Sequence, residues 1–337
     1  MGDRFSIGVD LGGTNLRIAS YADGEEFLDL IQMPTRLAEG RDAVVRDMCE
    51  GIRALAERNY GGRRLAGIGI GSPGPLELPA GILRNPPNLH GWDGFNLRAA
   101  VESGVGQAIF LDGDANVAAL AEQKLGAGQK HGIESLCVLT LGTGVGNGLI
   151  MDGRIWQGST GMGGEGGHLI VKDEGGASCG CGGYGCLEQY ASATAIVRLA
   201  RETMGEAAPL SAQDVALLAR SGNAVALSIF ERVGHMLAVG LTGLINTLNM
   251  PLYLLGGGVC DAWDIFAPAM FRELRKRSYV YRLTEPEELE PQVFVPGKTN
   301  ILRAQLGSNA GLLGACLLPL QEKIRQSAVE EGTLVPQ

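Results

Sequence analysis

Short apolar runs that end in glycine or threonine recur along the chain and indicate strands that lead into turns. Residues 5–10 and 15–21 predict a β-hairpin around a glycine turn, and residues 136–141 run into a second turn of glycines with a threonine. Further strands are predicted at residues 65–70, 109–112 and 253–255. Because the strand–turn pattern of the first half recurs in the second, we expect two related α/β halves.

Longer segments of helical character separate these strands. Helices are predicted at residues 41–58, 115–124, 224–248 and 309–320. Asp114 or a close neighbour should cap the second of them. Residues 71–75, Gly-Ser-Pro-Gly-Pro, are expected to form a loop at a strand end, because this composition suits neither helix nor regular sheet.

The composition indicates a folded protein and limits the classes of partner that it could bind. Of the 337 residues, 45% are apolar and 19% are charged, close to the globular average. The net charge of −9 disfavours nucleic acid as a partner. Polar residues and glycines interrupt the longest uncharged stretch, residues 236–260, so we expect no membrane span. The chain opens on a strand rather than a cleavable apolar leader, which predicts a cytoplasmic protein.

Two glycine patterns have the G-x-G-x-x-G spacing of dinucleotide-binding loops. They comprise Gly69, Gly71 and Gly74, and Gly161, Gly163 and Gly166. Pro73 and Pro75 stand where the first pattern would have to begin a helix, and the second pattern follows no evident strand. Neither predicts a dinucleotide site.

The turn of the first hairpin has residue types that bind phosphate. It comprises Asp10, Leu11, Gly12, Gly13, Thr14 and Asn15. Paired glycines let successive backbone N–H groups converge on an anion, and Asp10 could hold Mg²⁺ through water. A plain hairpin turn is the alternative, but the similar loop of Gly142, Thr143 and Gly144 favours two phosphate loops.

A cluster of cysteines points to a metal. Cys179, Cys181 and Cys186 lie close together, with His168 upstream, and these four side chains are the ligand set of a closed tetrahedral zinc site. In a reducing compartment such spacing favours metal binding over disulfides. Incidental thiols beside a core histidine are the alternative. Four protein ligands leave no open position, so the predicted zinc is structural.

Together these motifs resemble the ROK group of sugar kinases, repressors and related proteins. The resemblance extends over essentially the whole chain and implies an α/β protein with the actin-like ATPase (ribonuclease H-like) fold, in which two lobes enclose an interlobe cleft for ATP and sugar. The expected lobes are residues 1–125, completed by a C-terminal helix at about 309–330, and residues 126–308 with the zinc-binding segment. Assembly as a homodimer or homotetramer is also implied.

The resemblance assigns further site residues. Asp114 aligns with the catalytic aspartate, which would act as general base toward the sugar 6-hydroxyl; a helix cap is the alternative role. Glu165, His168 and Glu188 match positions that bind sugar hydroxyls, and His168 would also ligate zinc. The nucleotide-side loop, which would approach adenosine, comprises Gly256, Gly257 and Gly258.

One position departs from the family pattern. The family usually has asparagine directly before the catalytic aspartate, where its amide contacts the sugar, and this chain has Gly113. Replacement contacts are expected from Ser72 and Gly74, in a loop that resembles the sugar-side loop, or from Asn85 and Asn88. The change puts the identity of the sugar in question more than the reaction.

The resulting expectation is ATP- and Mg²⁺-dependent phosphorylation of glucose to glucose 6-phosphate. N-acetylmannosamine, N-acetylglucosamine, fructose and mannose remain alternative acceptors, and polyphosphate remains an alternative donor. A sugar-responsive regulator is a further alternative, which is disfavoured because the first phosphate loop begins at Asp10 and leaves no room for an N-terminal DNA-binding domain.

Overall fold

The computed structural model describes residues 4–22, 27–58, 60–287 and 292–330, without the side chains of residues 207 and 322–330. Its strands are β1 (Arg4–Leu11), β2 (Asn15–Tyr21), β3 (Phe27–Pro34), β4 (Arg64–Ser72), β5 (Leu76–Glu77), β6 (Ile82–Leu83), β7 (Ile109–Gly113), β8 (Leu136–Leu141), β9 (Val145–Met151), β10 (Arg154–Ile155), β11 (Leu252–Gly256) and β12 (Asn300–Arg303). Its α-helices are α1 (Arg41–Ala56), α2 (Leu97–Val105), α3 (Asp114–Lys124), α4 (Ala127–His131), α5 (Glu188–Ala191), α6 (Ala193–Met204), α7 (Ala212–Arg220), α8 (Ala224–Leu248), α9 (Trp263–Arg277), α10 (Tyr279–Thr284) and α11 (Ala310–Glu330).

The chain divides into two compact units. The first comprises Met1–Ala121, Ile155–Gly163 and Ser308–Gln337, and the second comprises Glu122–Arg154 and Gly164–Gly307. The division between residues 121 and 122 lies a few residues before the expected boundary, and the short segment Ile155–Gly163 belongs to the first unit although the sequence around it belongs to the second.

The first unit is built on a mixed five-stranded sheet of order β3-β2-β1-β4-β7. The predicted hairpin is confirmed, because β1 and β2 pair antiparallel with Asp10 opposite Arg17. The strand β4 pairs parallel with β1, β7 pairs parallel with β4, and α1 covers one face with Val44 and Met48. The loop predicted at residues 71–75 begins only at Pro73, since Gly71 and Ser72 still pair with β7.

Glycines let α11 lie directly against this sheet. A Cβ atom at Gly69 would stand 2.0 Å from the carbonyl oxygen of Ala315 in α11, while Ile68 and Ile70 point to the opposite, apolar face. Alternation along a strand separates these two faces. Gly69 therefore serves helix packing, which accounts for its place in a pattern that only resembles a dinucleotide loop.

The second unit repeats the plan. Its sheet has the order β10-β9-β8-β11-β12, β8 and β9 form an antiparallel hairpin, and β11 pairs parallel with β8 and β12. The predicted strands at residues 136–141 and 253–255 are confirmed as β8 and β11. Helices α6, α7, α9 and α10, for which the sequence analysis predicted no elements, complete this unit.

The predicted helix at residues 224–248 is confirmed as α8 and is the central helix of the second core. By length and mean hydropathy it could cross a membrane, with a value of 1.4 over 18 residues, but half of that window is buried. Its residues Phe230, Leu237 and Leu241 pack in the same apolar cluster as Leu139 and Leu255 of the sheet. Core helices pass the same hydropathy test, so α8 is explained by packing.

Two helical glycines provide a matched test of this packing. A Cβ at Gly314 of α11 would lie 1.7 Å from the carbonyl oxygen of Val117, whereas a Cβ at Gly243 of α8 would meet no atom within 4 Å in the part of the chain that the structure describes. We expect Gly314→Ala to lower the free energy of unfolding by about 1–3 kcal/mol through overpacking. Gly243→Ala should raise it by up to about 1 kcal/mol, because alanine is the better helix former. Urea unfolding followed by circular dichroism measures both, and equal effects would contradict the described contact of α11 with α3.

Candidate active site and metal centre

Hydrogen bonds to main-chain carbonyl groups hold the turn between β1 and β2. The N–H of Gly12 donates to the carbonyl of Asn15 at 3.0 Å, and the Thr35 hydroxyl donates to the carbonyl of Gly12 at 2.7 Å. A Cβ at Gly13 would come within 3.9 Å of the carbonyl oxygen of Asn88, so the turn lies beside that predicted sugar residue. Thr14 also accepts an N–H bond from Thr35 at 2.8 Å, which fixes the second side of the turn.

Asp10 lies at the end of β1 in a partly buried position. Its Oδ2 is 3.9 Å from Nη1 of Arg17, whose guanidinium also donates to Ser308 and Asn309 before α11. Burial raises the pKa of Asp10, and the Arg17 charge opposes that rise. A carboxylate held in this way suits Mg²⁺, which is usually bound by one or two carboxylates together with waters and substrate phosphates.

Asp114 begins α3 directly after β7, as the sequence predicts. Its side chain is exposed, and Oδ1 accepts a bond from the N–H of Ala115 at 2.6 Å. The parallel register places Gly113 opposite Ser72 at the ends of β7 and β4. An exposed carboxylate at the first turn of a helix, beside a strand end, is accessible to a substrate hydroxyl.

The predicted sugar contacts of the first unit differ in accessibility. Asn85 and Asn88 are exposed and Gly74 is half-buried. Ser72 has no exposed surface, and its hydroxyl donates to the carbonyl of Pro73 at 3.0 Å. Of these residues, Asn85 and Asn88 are therefore the better placed to offer a polar side chain.

The two predicted nucleotide-side loops of the second unit adjoin each other. Gly256 pairs with Thr140 near the end of β8, and a Cβ at Gly257 would lie 2.4 Å from the carbonyl oxygen of Leu141. Gly257 has a φ of +85°, a conformation that favours glycine. The Gly142–Gly144 loop is further fixed because its residues Gly142 and Thr143 accept bonds from Ala193 and Thr194 of α6, both at 2.8 Å.

The predicted zinc ligands converge. One ligand atom from each of His168, Cys179, Cys181 and Cys186 lies within 4.8 Å of all the others. Cys179 Sγ is 3.6 Å from His168 Nδ1, and the Sγ atoms of Cys181 and Cys186 are 3.7 Å apart. A tetrahedral ion with ordinary zinc–ligand bonds has edges of about 3.6 Å between nitrogen and sulfur and about 3.8 Å between sulfurs. The cluster fits zinc. A bound zinc ion would crosslink residues 168–186 and fix the orientation of the His168 ring.

The thiols of this cluster differ in acidity. Burial raises the pKa of Cys179, and burial together with the neighbouring thiols raises the pKa of Cys186 to about 12. Partial burial also acts on Cys181, but the Gly183 N–H and the other two thiols bring its pKa below the ordinary value. Cys181, the exposed member, is thus the thiol most readily available as a thiolate ligand.

Glu165, His168 and Glu188 lie around the same cluster. His168 Nε2 is 3.8 Å from Oε2 of Glu165, on the ring edge away from Cys179. Burial raises the pKa of Glu165, His168 opposes the rise, and the Glu188 charge adds to it. The structure therefore brings together the three second-unit residues that the family pattern assigns to the sugar.

Two hydrogen bonds at the site were missed by the sequence analysis. Glu188 Oε2 accepts the N–H of Val145 at 3.1 Å, so this carboxylate also holds the end of the 142–144 loop. The Asp112 carboxylate, buried two residues before Asp114, accepts Gln157 Nε2 at 2.6 Å. These partners lie 43 and 45 residues apart along the chain, and no local pattern signals such pairs.

The sheets and helices of the two units define a mixed α/β protein, and its structural neighbours place it in the actin-like ATPase fold. The profile of the ROK family matches residues 6–322, and the chain belongs to this family. A glucokinase of Halalkalibacterium halodurans is 34% identical, over 98% of this chain and 99% of the relative. The ROK hexokinase of Thermus thermophilus has a TM-score of 0.78 at 33% identity, over 95% of this chain and 99% of that one. A ROK glucokinase of Streptomyces griseus, solved with glucose and AMPPNP, has a TM-score of 0.75 at 29% identity, over 94% and 99% of the two chains.

Metal analysis tests the cysteine cluster. We expect the purified protein to carry one zinc per chain and Cys181→Ser to retain far less after dialysis, because a serine hydroxyl is a poor zinc ligand near neutral pH. The melting temperature should fall with the metal. Cys49→Ala is the control, since Cys49 is a buried thiol of the first unit outside the cluster. Full zinc retention by Cys181→Ser would contradict the assigned ligand set.

Proposed function

We propose that the protein transfers the γ-phosphoryl group of ATP to the 6-hydroxyl of a hexose, with glucose as the preferred acceptor. The observation that carries this proposal is the exposed Asp114 carboxylate at the start of α3, in a ROK-family chain whose glycine turns after β1 and β8 suit phosphate. The glucokinase and hexokinase relatives support both the reaction and the acceptor.

Phosphoryl transfer depends on positioning and charge neutralisation more than on covalent catalysis. The turns at Gly12–Gly13 and Gly142–Gly144 would offer backbone N–H groups to the phosphates, other than those of Gly12 and Gly142, which donate within their own turns. The loop from Gly256 would approach the adenosine. Asp10 would hold Mg²⁺, which neutralises charge on the phosphates when bound. Asp114 would accept the proton that the sugar hydroxyl loses as it attacks.

Glu165, His168 and Glu188 would bind the sugar hydroxyls. Each carboxylate can accept two or more hydrogen bonds, and Nε2 of His168 lies on the edge of the ring away from the thiols. Zinc on Nδ1 would fix the tautomer, so that Nε2 carries the proton and donates. The two carboxylates would thus accept hydrogen bonds from the sugar hydroxyls, and His168 would donate one.

Gly113 favours an alternative acceptor as the second candidate. Because the amide of the usual asparagine is missing, a pocket built on this chain discriminates sugars differently, and N-acetylmannosamine, N-acetylglucosamine, fructose or mannose could replace glucose. Polyphosphate remains the alternative donor. Cytoplasmic location and a homodimer or homotetramer are part of the same proposal and rest on the family.

Removal of the Asp114 carboxylate tests the general base. We expect Asp114→Asn to lower kcat for glucose by about 10²- to 10⁴-fold, the usual contribution of a positioned base. Folding should be unaffected because the side chain is exposed. Asp42→Asn is the control, since Asp42 has a side chain that is 93% exposed in α1. Steady-state ADP release measures both variants, and near-normal turnover by Asp114→Asn would contradict the role.

Restoring the family asparagine tests the departure at Gly113. A Cβ at this position would be 3.6 Å from Nδ2 of Asn116, an ordinary contact, so the side chain fits. Gly113→Asn should lower KM for glucose by about fivefold, the effect of one additional neutral hydrogen bond. Gly113→Ala keeps the backbone restraint without the amide and should leave KM unchanged. An equal fall in the KM of both variants would show that the backbone, not the amide, sets the affinity for glucose.

A further inference from the structure

A buried carboxylate precedes the candidate general base by two residues. Asp112 is 2% exposed, and three donors surround it. Oδ1 accepts the N–H of Gly113 at 2.7 Å and Nδ2 of Asn116 at 2.8 Å, and Oδ2 accepts Nε2 of Gln157 at 2.6 Å. Burial raises the pKa of Asp112, and the three hydrogen bonds oppose that rise because they favour the ionised carboxylate, which only accepts hydrogen bonds.

The bonds to Oδ1 restrain the chain on both sides of Asp114. Gly113, directly before it, lacks the side chain that limits backbone conformations in other residues. Its N–H is nevertheless fixed by Asp112, and Asn116, two residues after Asp114, is fixed by the same oxygen. The position of the Asp114 carboxylate therefore depends on where the Asp112 side chain stands.

Gln157 is the donor that holds the other oxygen. It lies in Ile155–Gly163, the segment that belongs to the first unit together with Asp112. The segment is closed by a bond from the N–H of Gly163 to the carbonyl of Gln157 at 2.8 Å. It is also packed against Leu78, because a Cβ at Gly161 would stand 2.5 Å from the Cβ of Leu78. The backbone of Gln157 is thus held in place, which limits where its side-chain amide can lie.

We propose that Gln157 is a positioning residue for Asp114, acting through the carboxylate of Asp112. The Gln157 amide orients Asp112, whose other oxygen fixes the turn from Gly113 to Asn116 and so aims the general base. This inference rests on the proposed function. It assigns a part in that reaction to Gln157, a residue that neither the sequence motifs nor the family pattern names.

Exchanging the hydrogen-bond donor and acceptor between Gln157 and Asp112 tests the proposal. Gln157→Glu places two carboxylates against each other and should lower kcat about tenfold or more with KM for ATP unchanged, because displacement of a catalytic group weakens the transition state. Asp112→Asn alone should be mild, since the Gln157 amide can rotate and accept. The double variant Asp112→Asn/Gln157→Glu restores an amide facing a carboxylate and should recover most of kcat.

Gln129→Glu is the matched control, because it adds the same charge at an exposed residue of α4. If Gln157→Glu does not fold, kcat of Gln157→Leu decides, and it should be lowered several-fold because Oδ2 loses its donor. Normal kcat in the folded Gln157 variant, or a double variant as slow as Gln157→Glu, would overturn the inference while wild-type turnover stands. A wild-type protein without turnover on any hexose would instead overturn the proposed function, and the role of Gln157 with it.

Discussion

Parallel hydrogen bonding between neighbouring strands determines where the polar residues of this protein can meet. Parallel strands present their carboxyl ends at one edge of the sheet. In the first unit, the register that pairs Asp10 with Gly71 and Ser72 with Gly113 brings the ends of β1, β4 and β7 together. The register of β8 and β11 does the same in the second unit, where Gly256 lies opposite Thr140. The glycine turns and Asp114 come directly after these strand ends in the chain.

Close backbone approach is the second constraint on this arrangement. The segment from Cys179 to Cys186 folds back on residues 170–172, and a Cβ at Gly185 would lie 1.8 Å from the carbonyl oxygen of Lys172. In the same region a Cβ at Gly144 would lie 2.4 Å from Oε2 of Glu188. Packing against the backbone requires glycine at position 185, and a side chain at position 144 would displace the Glu188 carboxylate, whereas a Cβ at Gly142 would meet no atom of the described residues within 4 Å. The 52 glycines of the chain therefore reflect close contacts as well as the predicted phosphate loops.

Features with a local signal were predictable from the sequence. The first hairpin, the strands at residues 109–112 and 136–141, helix α8 and the Cys₃His group all follow from patterns within a short window, and all are present. The extent of β4 was wrong by two residues, because Gly71 and Ser72 keep their strand pairing although prolines follow. The final helix runs to Glu330, past the internal Pro319, so the end at residue 320 predicted from the pattern was wrong and the helix of about 309–330 implied by the family resemblance is confirmed.

Features that depend on distant side chains were not predictable. Asp112 looks like a strand residue beside a more prominent Asp114, and only the fold places Gln157 against it. Glu188 was assigned to the sugar on the family pattern, but its bond to the Val145 N–H depends on the fold, which brings the first residue of α5 to the first residue of β9. Such bonds join residues of different elements, so neither periodicity nor spacing carries information about them.

The central claim is transfer of a phosphoryl group from ATP to a hexose. The most direct measurement is product formation by the zinc-replete wild-type protein with ATP, Mg²⁺ and single sugars, including glucose, mannose, fructose, N-acetylglucosamine and N-acetylmannosamine. ADP release and phosphorus NMR would identify the products. The account predicts glucose 6-phosphate in equal amount to ADP, with glucose turned over fastest. Absence of sugar phosphate with every acceptor would contradict it.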